Sequence, residues 1–482
     1  MDKLSSSQQP IEIDGSYKEG GGQILRNAIT YAVLLKKSVT ISNIRANRPR
    51  SPGIRPQHLA GIKLAVEIGN SNEKDCGELI GADIGSQCIT YIYKQESSQE
   101  DSSMCVDDIS QNKKVKADNN ESKEDTTNTR FLADTGTAGS IALLLQASFL
   151  PGLVNAMRGE NNSKPISIEL HGGTNASNAP QIDYMTNVFA PFINAYFQQR
   201  SNSFSSSTEH PPLDISIVKR GYYPKGGGVV KINLHNPITN DFTFSSNNNS
   251  STTFPGIQLS RCLPIISIKI NAFHAGGAPR WVADKMVAGA MKQLKQSWRD
   301  DINFRQRFRD VGSNLQGISK SIINAKIEVS HVTDCLGSGS GIMIIAQPMN
   351  QSYQTLSCPS LAASGLGDRK VNPNETGSDV AKELVQCIAS GGVVDKWMSD
   401  QLIPFMALAN GESQVLVGEL TLHTQTAMHV AEQMTNFNCK FHVQRLDGDS
   451  RDCNEHKKDG YGEGSIMGKH LISCQGIGFS YT

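Results

Sequence analysis

The chain has 482 residues with 46 basic and 46 acidic side chains, so its formal net charge is zero. That length allows two or three domains with substantial cores, and the zero charge argues against a protein that coats nucleic acid over its whole surface. We find no secretory signal region and no run of eighteen apolar residues, so we expect an intracellular protein without a membrane span. Ten cysteines form no CxxC pair, which is typical of reduced thiols rather than a zinc or redox site.

The N-terminal region predicts a β-α-β unit. Strand IEID is followed by the glycine turn GSYKEGGG, the helix QILRNAITYAVLLKK and the strand VTISNI. Two later stretches repeat the step from a polar turn into an apolar helix, namely DTGTAGSIALLLQASFL and DQLIPFMALANG with the strand SQVLVGELTLH. We therefore predict an α/β fold with a large domain of three repeated α/β units.

Two segments interrupt this pattern. Residues 95–130 hold nine acidic and five basic side chains among Ser and Asn, a composition that predicts a disordered insertion. Residues 258–365 contain strand, long helix and strands in an order typical of a small α/β domain. The predicted organisation is therefore a first part of the large domain at 1–257, the inserted small domain at 258–365, and a second part of the large domain at 366–482.

A basic stretch lies near the N-terminus. Residues 20–66 contain eight Lys and Arg residues and no Asp or Glu. A solvated basic face would explain them, but the turn-rich RANRPRSPGIRPQH can hold arginines in fixed positions. Since a guanidinium binds phosphate oxygens two at a time, this stretch is a candidate phosphate site.

Three glycine-rich segments also stand out. In EGGGQILR the glycines open a helix, which favours an anion, although the pattern is not a Walker loop. Glu19 in that segment is either a metal-binding carboxylate or an acid favoured by the helix dipole. A tight turn between strands would explain each of the other two segments, HGGTNASNAPQIDY and RGYYPKGGGVV.

His423 lies where a strand gives way to a helix, in GELTLHTQTAMHV. Alternating apolar residues predict the strand, and Thr424 or Thr426 is predicted to cap the helix. On these residues alone the favoured interpretation of His423 is an ordinary junction histidine. A position at a helix N-terminus disfavours the imidazolium form.

The chain resembles the RNA 3′-terminal phosphate cyclase family through an ordered series of motifs: SPGIRPQH, TGTAGSIALLLQ, HGGTNASNAPQIDY, RGYYPKGGGVV, DKWMSDQL, LTLHTQTAMHVAEQM and CQGIGFS. The resemblance runs from about residue 11 to about residue 478. It implies the same fold, a large domain of three repeated α/β units with helices on one face of each sheet and an inserted smaller α/β domain.

The resemblance also implies a reaction. ATP and a divalent metal, Mg²⁺ or Mn²⁺, would convert an RNA 3′-phosphate end into a 2′,3′-cyclic phosphate, releasing AMP and pyrophosphate. His423 matches the family's nucleophile, which forms a histidine-AMP intermediate before an RNA-adenylate. Such covalent catalysis divides one difficult displacement among easier ones.

Further site residues are implied by correspondence with the family. Glu19 matches a metal ligand, and Asp400 and Gln401 lie beside the position of the adenine. The other ATP-binding residues implied are Gln146 near the phosphates and Pro180 and Trp397 around the adenine. Those implied to surround the triphosphate or the RNA terminal phosphate are Gln23, Arg26, Arg45, Arg48, Gln57 and His58.

Two other functions were weighed against the cyclase. A non-catalytic cyclase-like factor of ribosomal RNA processing shares the fold but lacks the histidine motif, which is intact here in LTLHTQTAMHVAEQ. An RNA-binding module using residues 20–66 would bind without ATP and with a strong salt dependence. We expect the enzyme, with RNA and ATP as partners, no membrane association, and a nuclear rather than cytosolic location.

Overall fold

The computed structural model describes residues 9–18, 20–48, 51–71, 76–94, 129–158, 165–198, 210–237, 253–308, 325–349, 358–446 and 466–481. Glu19 and nearly all of the predicted disordered insertion lie outside these residues. Thr129 and Arg130, the last two residues of that predicted insertion, instead begin a strand. The described residues form four main sheets with packed helices, which confirms the predicted α/β class.

The first repeated unit is a four-stranded sheet with two helices. Its elements are β1 (Ile11–Asp14), α1 (Gly22–Leu35), β2 (Val39–Ser42), α2 (Pro56–Gly69), β3 (Cys76–Ile80) and β4 (Ile89–Lys94). The strand order is β1-β2-β4-β3. β1 and β2 are parallel, and β4 runs antiparallel to both of its neighbours.

The second unit repeats this arrangement. Its elements are β5 (Thr129–Asp134), α3 (Ile141–Arg158), β6 (Ile166–Gly172), α4 (Ile182–Tyr184), a π-helical turn (Met185–Phe189), α5 (Ala190–Gln198), β7 (Leu213–Gly221) and β8 (Gly228–Leu234). The order β5-β6-β8-β7 again has one parallel pair followed by antiparallel pairs, and Cys335–Leu336 of the inserted segment adds a fifth strand parallel to β7. The second helix of this unit is the segment that contains the π-helical turn.

The third unit is split by the inserted one. It opens with the short strands β9 (Phe254–Pro255) and β10 (Gln258–Leu259). The inserted elements are β11 (Ile265–Ala275), α6 (Arg280–Asp300), α7 (Ile302–Gln306), β12 (Lys326–Val332), β13 (Cys335–Leu336), β14 (Gly339–Pro348), β15 (Leu361–Leu366) and α8 (Pro373–Ala389). Helices α6 and α8 pack together on the sheet β12-β11-β14-β15. Helix α8 thus shares this core although it lies beyond residue 365, and the domain bounds stay a prediction.

The third unit then resumes with the segment that carries His423. Its elements are α9 (Lys396–Gln401), α10 (Ile403–Leu408), β16 (Ala409–Asn410), β17 (Glu412–Leu420), α11 (Leu422–Met434), β18 (Phe441–Arg445) and β19 (Ile466–Gln475). The sheet order β10-β17-β19-β18 is the same as in the first two units. Three repeated units are therefore confirmed, and each has the same strand order.

Helix α1 lies at the centre of the large core. It packs against α2 of its own unit, α3 of the second unit and α11 of the third. Side chains at its start can therefore reach all three units. Helix α3 is the one helix in the described part of the chain that is long and apolar enough to cross a membrane. However, 78% of that window is buried inside the protein, as in a core helix.

Candidate active site

His423 is the second residue of helix α11 and is half-buried. Thr421, two residues before His423, has extended backbone angles, and its side chain accepts a hydrogen bond from the Thr424 backbone N–H at 3.0 Å. Thr421 is therefore the N-cap, and the prediction of Thr424 or Thr426 was wrong because the strand already ends at Leu420. The imidazole consequently lies in the first helical turn.

A hydrogen-bonded chain fixes the orientation of the His423 ring. The Gln23 side-chain Nε2 donates to Asp400 Oδ2 at 2.7 Å, and Gln23 Oε1 lies 2.7 Å from His423 Nδ1. An amide oxygen can only accept, so Nδ1 carries the proton and donates to it. The lone pair of a neutral ring then lies on Nε2, which is the nitrogen able to act as nucleophile.

Asp400 is half-buried, and desolvation raises its pKa to about 6, although the nearby charges of His423 and Arg26 oppose that rise. At neutral pH the carboxylate is therefore ionised and accepts from Gln23. Ser399, the residue before it, lies 2.8 Å from Thr424 through their hydroxyl oxygens, which ties α9 to the first turn of α11. This contact holds Asp400 and His423 in a fixed relation.

Arg26 supplies a fixed cation one helical turn after Gln23. It is buried, and burial lowers its pKa to about 10 while Asp400 opposes that change, so the guanidinium stays charged at neutral pH. Its Nη2 donates to Gln146 Oε1 at 3.4 Å. Gln23, Arg26, Gln146, Asp400 and His423, all proposed from the sequence, are thus brought together by the fold.

A pocket opens beside this group, with about 420 Å³ of empty space including its mouth. Within the part of the chain that the structure describes, two buried acceptor atoms here have no hydrogen-bond partner, Asp400 Oδ1 and Gln401 Oε1. Buried polar atoms usually have partners, so these two are suited to a ligand that carries donors. The lining residues are Gln23, Asn27, Gln146, Phe149, Leu150, Phe189, Asp400, Gln401, Pro404 and Phe405.

Pro180 and Trp397 do not line this pocket. Pro180 is buried just before α4. Trp397 is half-buried in α9, with the Lys396 Nζ 5.1 Å from its ring centroid, and its carbonyl accepts from Gln401 Nε2 at 2.6 Å. Their pairing around an adenine stays a prediction.

The predicted basic residues lie at the start of α2 and in the turn before it. Burial lowers the pKa of the Arg45 guanidinium, and the charges of Arg48 and Arg55 lower it further. Burial also lowers the pKa of His58 to about 3, with further contributions from Arg26, Arg45 and Arg55. This mutual influence shows that the cations converge around a neutral His58, which suits them to an anion.

Gln57 links this cluster to the second unit. Its side-chain Oε1 accepts a hydrogen bond from the Ser140 backbone N–H at 3.1 Å. This bond places the predicted residue between two units, with its acceptor committed to the protein. Arg45 is likewise held in place, since its guanidinium donates to the Ser51 carbonyl and hydroxyl at 3.1–3.3 Å.

Glu19 and Arg50 lie outside the described residues, and the metal ligand assignment stays a prediction. Within the described ranges no group of three or more His, Cys, Asp or Glu side chains is arranged to hold a metal ion. Sequence reasoning missed Arg55 as a distinct site residue and missed Asn27. Helical spacing could have indicated Asn27, because it lies four residues after Gln23 on the same face of α1.

The family model for RNA 3′-terminal phosphate cyclase matches residues 17–442. The chain belongs to the RNA 3′-terminal phosphate cyclase family. It is 30% identical over 485 aligned residues to a probable RNA 3′-terminal phosphate cyclase of Dictyostelium discoideum, covering 99% of this chain and 86% of the relative. It is 30% identical to the Pyrococcus furiosus RNA 3′-terminal phosphate cyclase and 28% identical to that of Drosophila melanogaster, covering 88% and 98% of this chain and 92% and 98% of those relatives. The similarity to these cyclases thus spans all three units and the inserted one.

Proposed function

We propose that this cyclase family member converts RNA 3′-phosphate ends into 2′,3′-cyclic phosphates at the expense of ATP. The observation that carries the proposal is the hydrogen-bonded chain Asp400–Gln23–His423, which makes Nδ1 the donor and so assigns the nucleophile to Nε2, next to a pocket with unpartnered acceptors. A non-catalytic relative would have no need of an oriented imidazole. The names of the curated relatives support the same activity.

In the first step, Nε2 of His423 attacks the α-phosphorus of ATP. A phosphorus–nitrogen bond forms, the bond to pyrophosphate breaks, and the ring becomes cationic. The Nδ1–H bond to Gln23 then becomes charge-assisted, and such bonds are roughly twice as strong as neutral ones. Arg26 is placed to neutralise charge that develops on the phosphate oxygens.

The next two steps use the RNA. An oxygen of the RNA 3′-phosphate attacks the AMP phosphorus and the bond to His423 breaks, which returns the neutral ring. The neighbouring 2′-hydroxyl then attacks the RNA phosphorus, loses its proton, and expels AMP as the ring closes. Arg45, Arg48, Arg55 and the neutral His58 form the cluster that we assign to the RNA phosphate.

We propose that Pro180 and Trp397 enclose the adenine and that its edge faces the pocket beside Asp400. The exocyclic amine of adenine is a donor, and Gln401 Oε1 is a buried acceptor without a partner among the described residues. Phe149, Phe189 and Phe405 supply apolar walls. A divalent cation, Mg²⁺ or Mn²⁺, with Glu19 as a ligand, and a nuclear location are further parts of the proposal.

The test is incubation of the purified protein with α-labelled ATP and magnesium, followed by a denaturing gel. We expect acid-labile, alkali-stable label on the wild type and none on His423→Ala. His442→Ala is the matched control, because His442 is exposed on β18 and should leave labelling intact. Absence of label on a wild type that binds ATP would overturn the enzyme proposal in favour of the non-catalytic ribosome-assembly relative.

A further inference from the structure

The turn between β7 and β8 presents an aromatic ring to solvent. Tyr223 is 80% exposed, the highest value among the large apolar side chains in the described ranges. The residue before it is the opposite case, since Tyr222 is buried and stacks on Phe273 with ring centroids 5.7 Å apart. The turn is therefore anchored by one tyrosine while the next one stands free of the core.

The backbone of the turn is fixed as well. The Gly226 N–H donates to the Tyr222 carbonyl at 2.9 Å, and the Tyr222 N–H donates to the Leu336 carbonyl at 3.1 Å. Gly226 has a φ of 63°, which favours glycine at this position. Because the turn is rigid, it costs little conformational entropy for Tyr223 to receive a ligand.

A short stretch of backbone connects this turn with the cluster of Arg45, Arg48, Arg55 and His58 that we assign to the RNA phosphate. A Cβ on Gly226 would lie 2.4 Å from the Thr137 carbonyl oxygen, so the two loops touch. A Cβ on Gly139 would lie 2.8 Å from the Cβ of Gln57, the neighbour of His58. Thr137 and Gly139 are two residues apart and hence at most about 7 Å. The path between them carries only small side chains.

Cations lie at both ends of this path. Lys225 is exposed beside Tyr223 and makes no ion pair within the described residues. At the other end, Arg48 and Arg55 are exposed beside the buried His58. Cations that contact the phosphates, combined with an aromatic ring on which a base stacks, are the usual means of binding single-stranded nucleic acid without base readout.

We propose that the nucleotides preceding the RNA 3′-phosphate cross Thr137–Gly139 to the turn, where one base stacks on Tyr223 and a phosphate contacts Lys225. This inference rests on the proposed function, because it takes the arginine cluster as the site of the 3′-phosphate. It assigns the enzyme a preference for single-stranded ends of several nucleotides and a tolerance of any base at the stacking position.

The experiment measures RNA binding without ATP, by fluorescence anisotropy. The probes are a dinucleotide and a single strand of about eight nucleotides, each with a 3′-phosphate and a terminal 2′-deoxyribose that cannot cyclise. We expect Tyr223→Ala to weaken binding of the longer probe about 5- to 150-fold, the range for loss of one stacked base, and to change dinucleotide binding little. Tyr223→Phe should retain affinity for both probes.

Lys225→Ala gives a second, independent readout. Loss of one phosphate contact should reduce the slope of log K against log salt by about 0.7 for a single strand. Trp281→Ala is the matched control, because Trp281 is a 53% exposed aromatic on α6, and it should leave binding of both probes unchanged.

Equal affinity of Tyr223→Ala and the wild type for the longer probe would overturn the inference. So would an equal loss with the dinucleotide, since that would indicate damage to the phosphate site. If the variants change RNA binding as expected but the wild type forms no histidine-AMP, the proposed function fails while the RNA path stands. If the wild type forms histidine-AMP but Tyr223→Ala does not change RNA binding, the RNA path fails while the proposed function stands.

Discussion

Gln23 is the residue on which the proposed orientation of His423 depends, and Gln23→Leu removes both of its hydrogen bonds at similar volume. Before attack, the bond from Nδ1 joins neutral groups and contributes about 1 kcal/mol, and once the ring is cationic it contributes about 2 kcal/mol or more. The difference, roughly 1–1.5 kcal/mol, slows histidine-AMP formation about tenfold.

A change in ring orientation adds to this loss. Without Gln23 the bond that holds the proton on Nδ1 is missing, and small misplacements of reacting groups cost up to about 100-fold. We therefore expect Gln23→Leu to form histidine-AMP about 10- to 100-fold more slowly at saturating ATP. Asp400 Oδ2 also loses its donor, which raises the carboxyl pKa further.

The assay is a single-turnover measurement of labelled protein after rapid quenching. Gln425→Leu is the matched control, because Gln425 lies in the same helical turn, where its side-chain Nε2 donates to the Leu420 carbonyl and its Oε1 accepts from Lys18 Nζ. It should form the intermediate within about threefold of the wild type. A Gln23→Leu rate equally close to the wild type, with thermal unfolding unchanged, would refute the orientation argument.

Three further predictions concern stability. Thr421→Ala should lower the free energy of unfolding in urea by about 1 kcal/mol through loss of the N-cap of α11, and Thr421→Ser should not; equal values for both variants would contradict this. Because burial raises the Asp400 pKa to about 6, the folded protein holds this proton more tightly than the unfolded chain. The resulting stabilisation is present below about pH 4 and is lost as pH rises through 6. The free energy of unfolding of Asp400→Asn should therefore rise by about 1–3 kcal/mol relative to that of the wild type between pH 4.5 and 7.5. A difference between the two proteins that does not change with pH would count against a raised pKa. Because the His58 pKa is lowered to about 3, the neutral ring stabilises the folded protein. This stabilisation is present above about pH 6.5 and is lost as pH falls towards 3. His58→Gln should show a shallower loss of stability over that window, and a slope equal to the wild type would contradict the neutral state of His58.

Local patterns in the sequence predicted much of the fold. Strands such as Ile11–Asp14 and helices such as α1 have strong periodicity, and the repeat of turn and helix indicated three units. The common strand order could not be predicted in this way, because it depends on pairings across long stretches of chain. β10 has only two residues, Gln258 and Leu259, so no pattern marks it as the first strand of the third unit.

The candidate site was likewise predicted only in part from the sequence. Correspondence with the family named Gln23, Arg26, Asp400 and His423, but their contacts join residues 377 and 400 positions apart, and no local signal indicates them. The cap of α11 was missed because threonines 421, 424 and 426 are equally good caps by type. The end of β17 at Leu420 decides among them, and that end is set by pairing with β19.

The split of the third unit has a consequence for the order in which the protein forms. β10 pairs with β17 across 156 residues of chain, through Gln258 and Gln414, and the His423 contact with Gln23 spans 400. The first two units can fold during synthesis, but 189 residues separate the end of β8 at Leu234 from His423, and at 5–20 residues per second the ribosome needs roughly 10–40 s to add them. An unfinished chain therefore carries its arginine cluster and its RNA-facing turn well before it has a nucleophile. Nascent or truncated chains would hold RNA ends without modifying them.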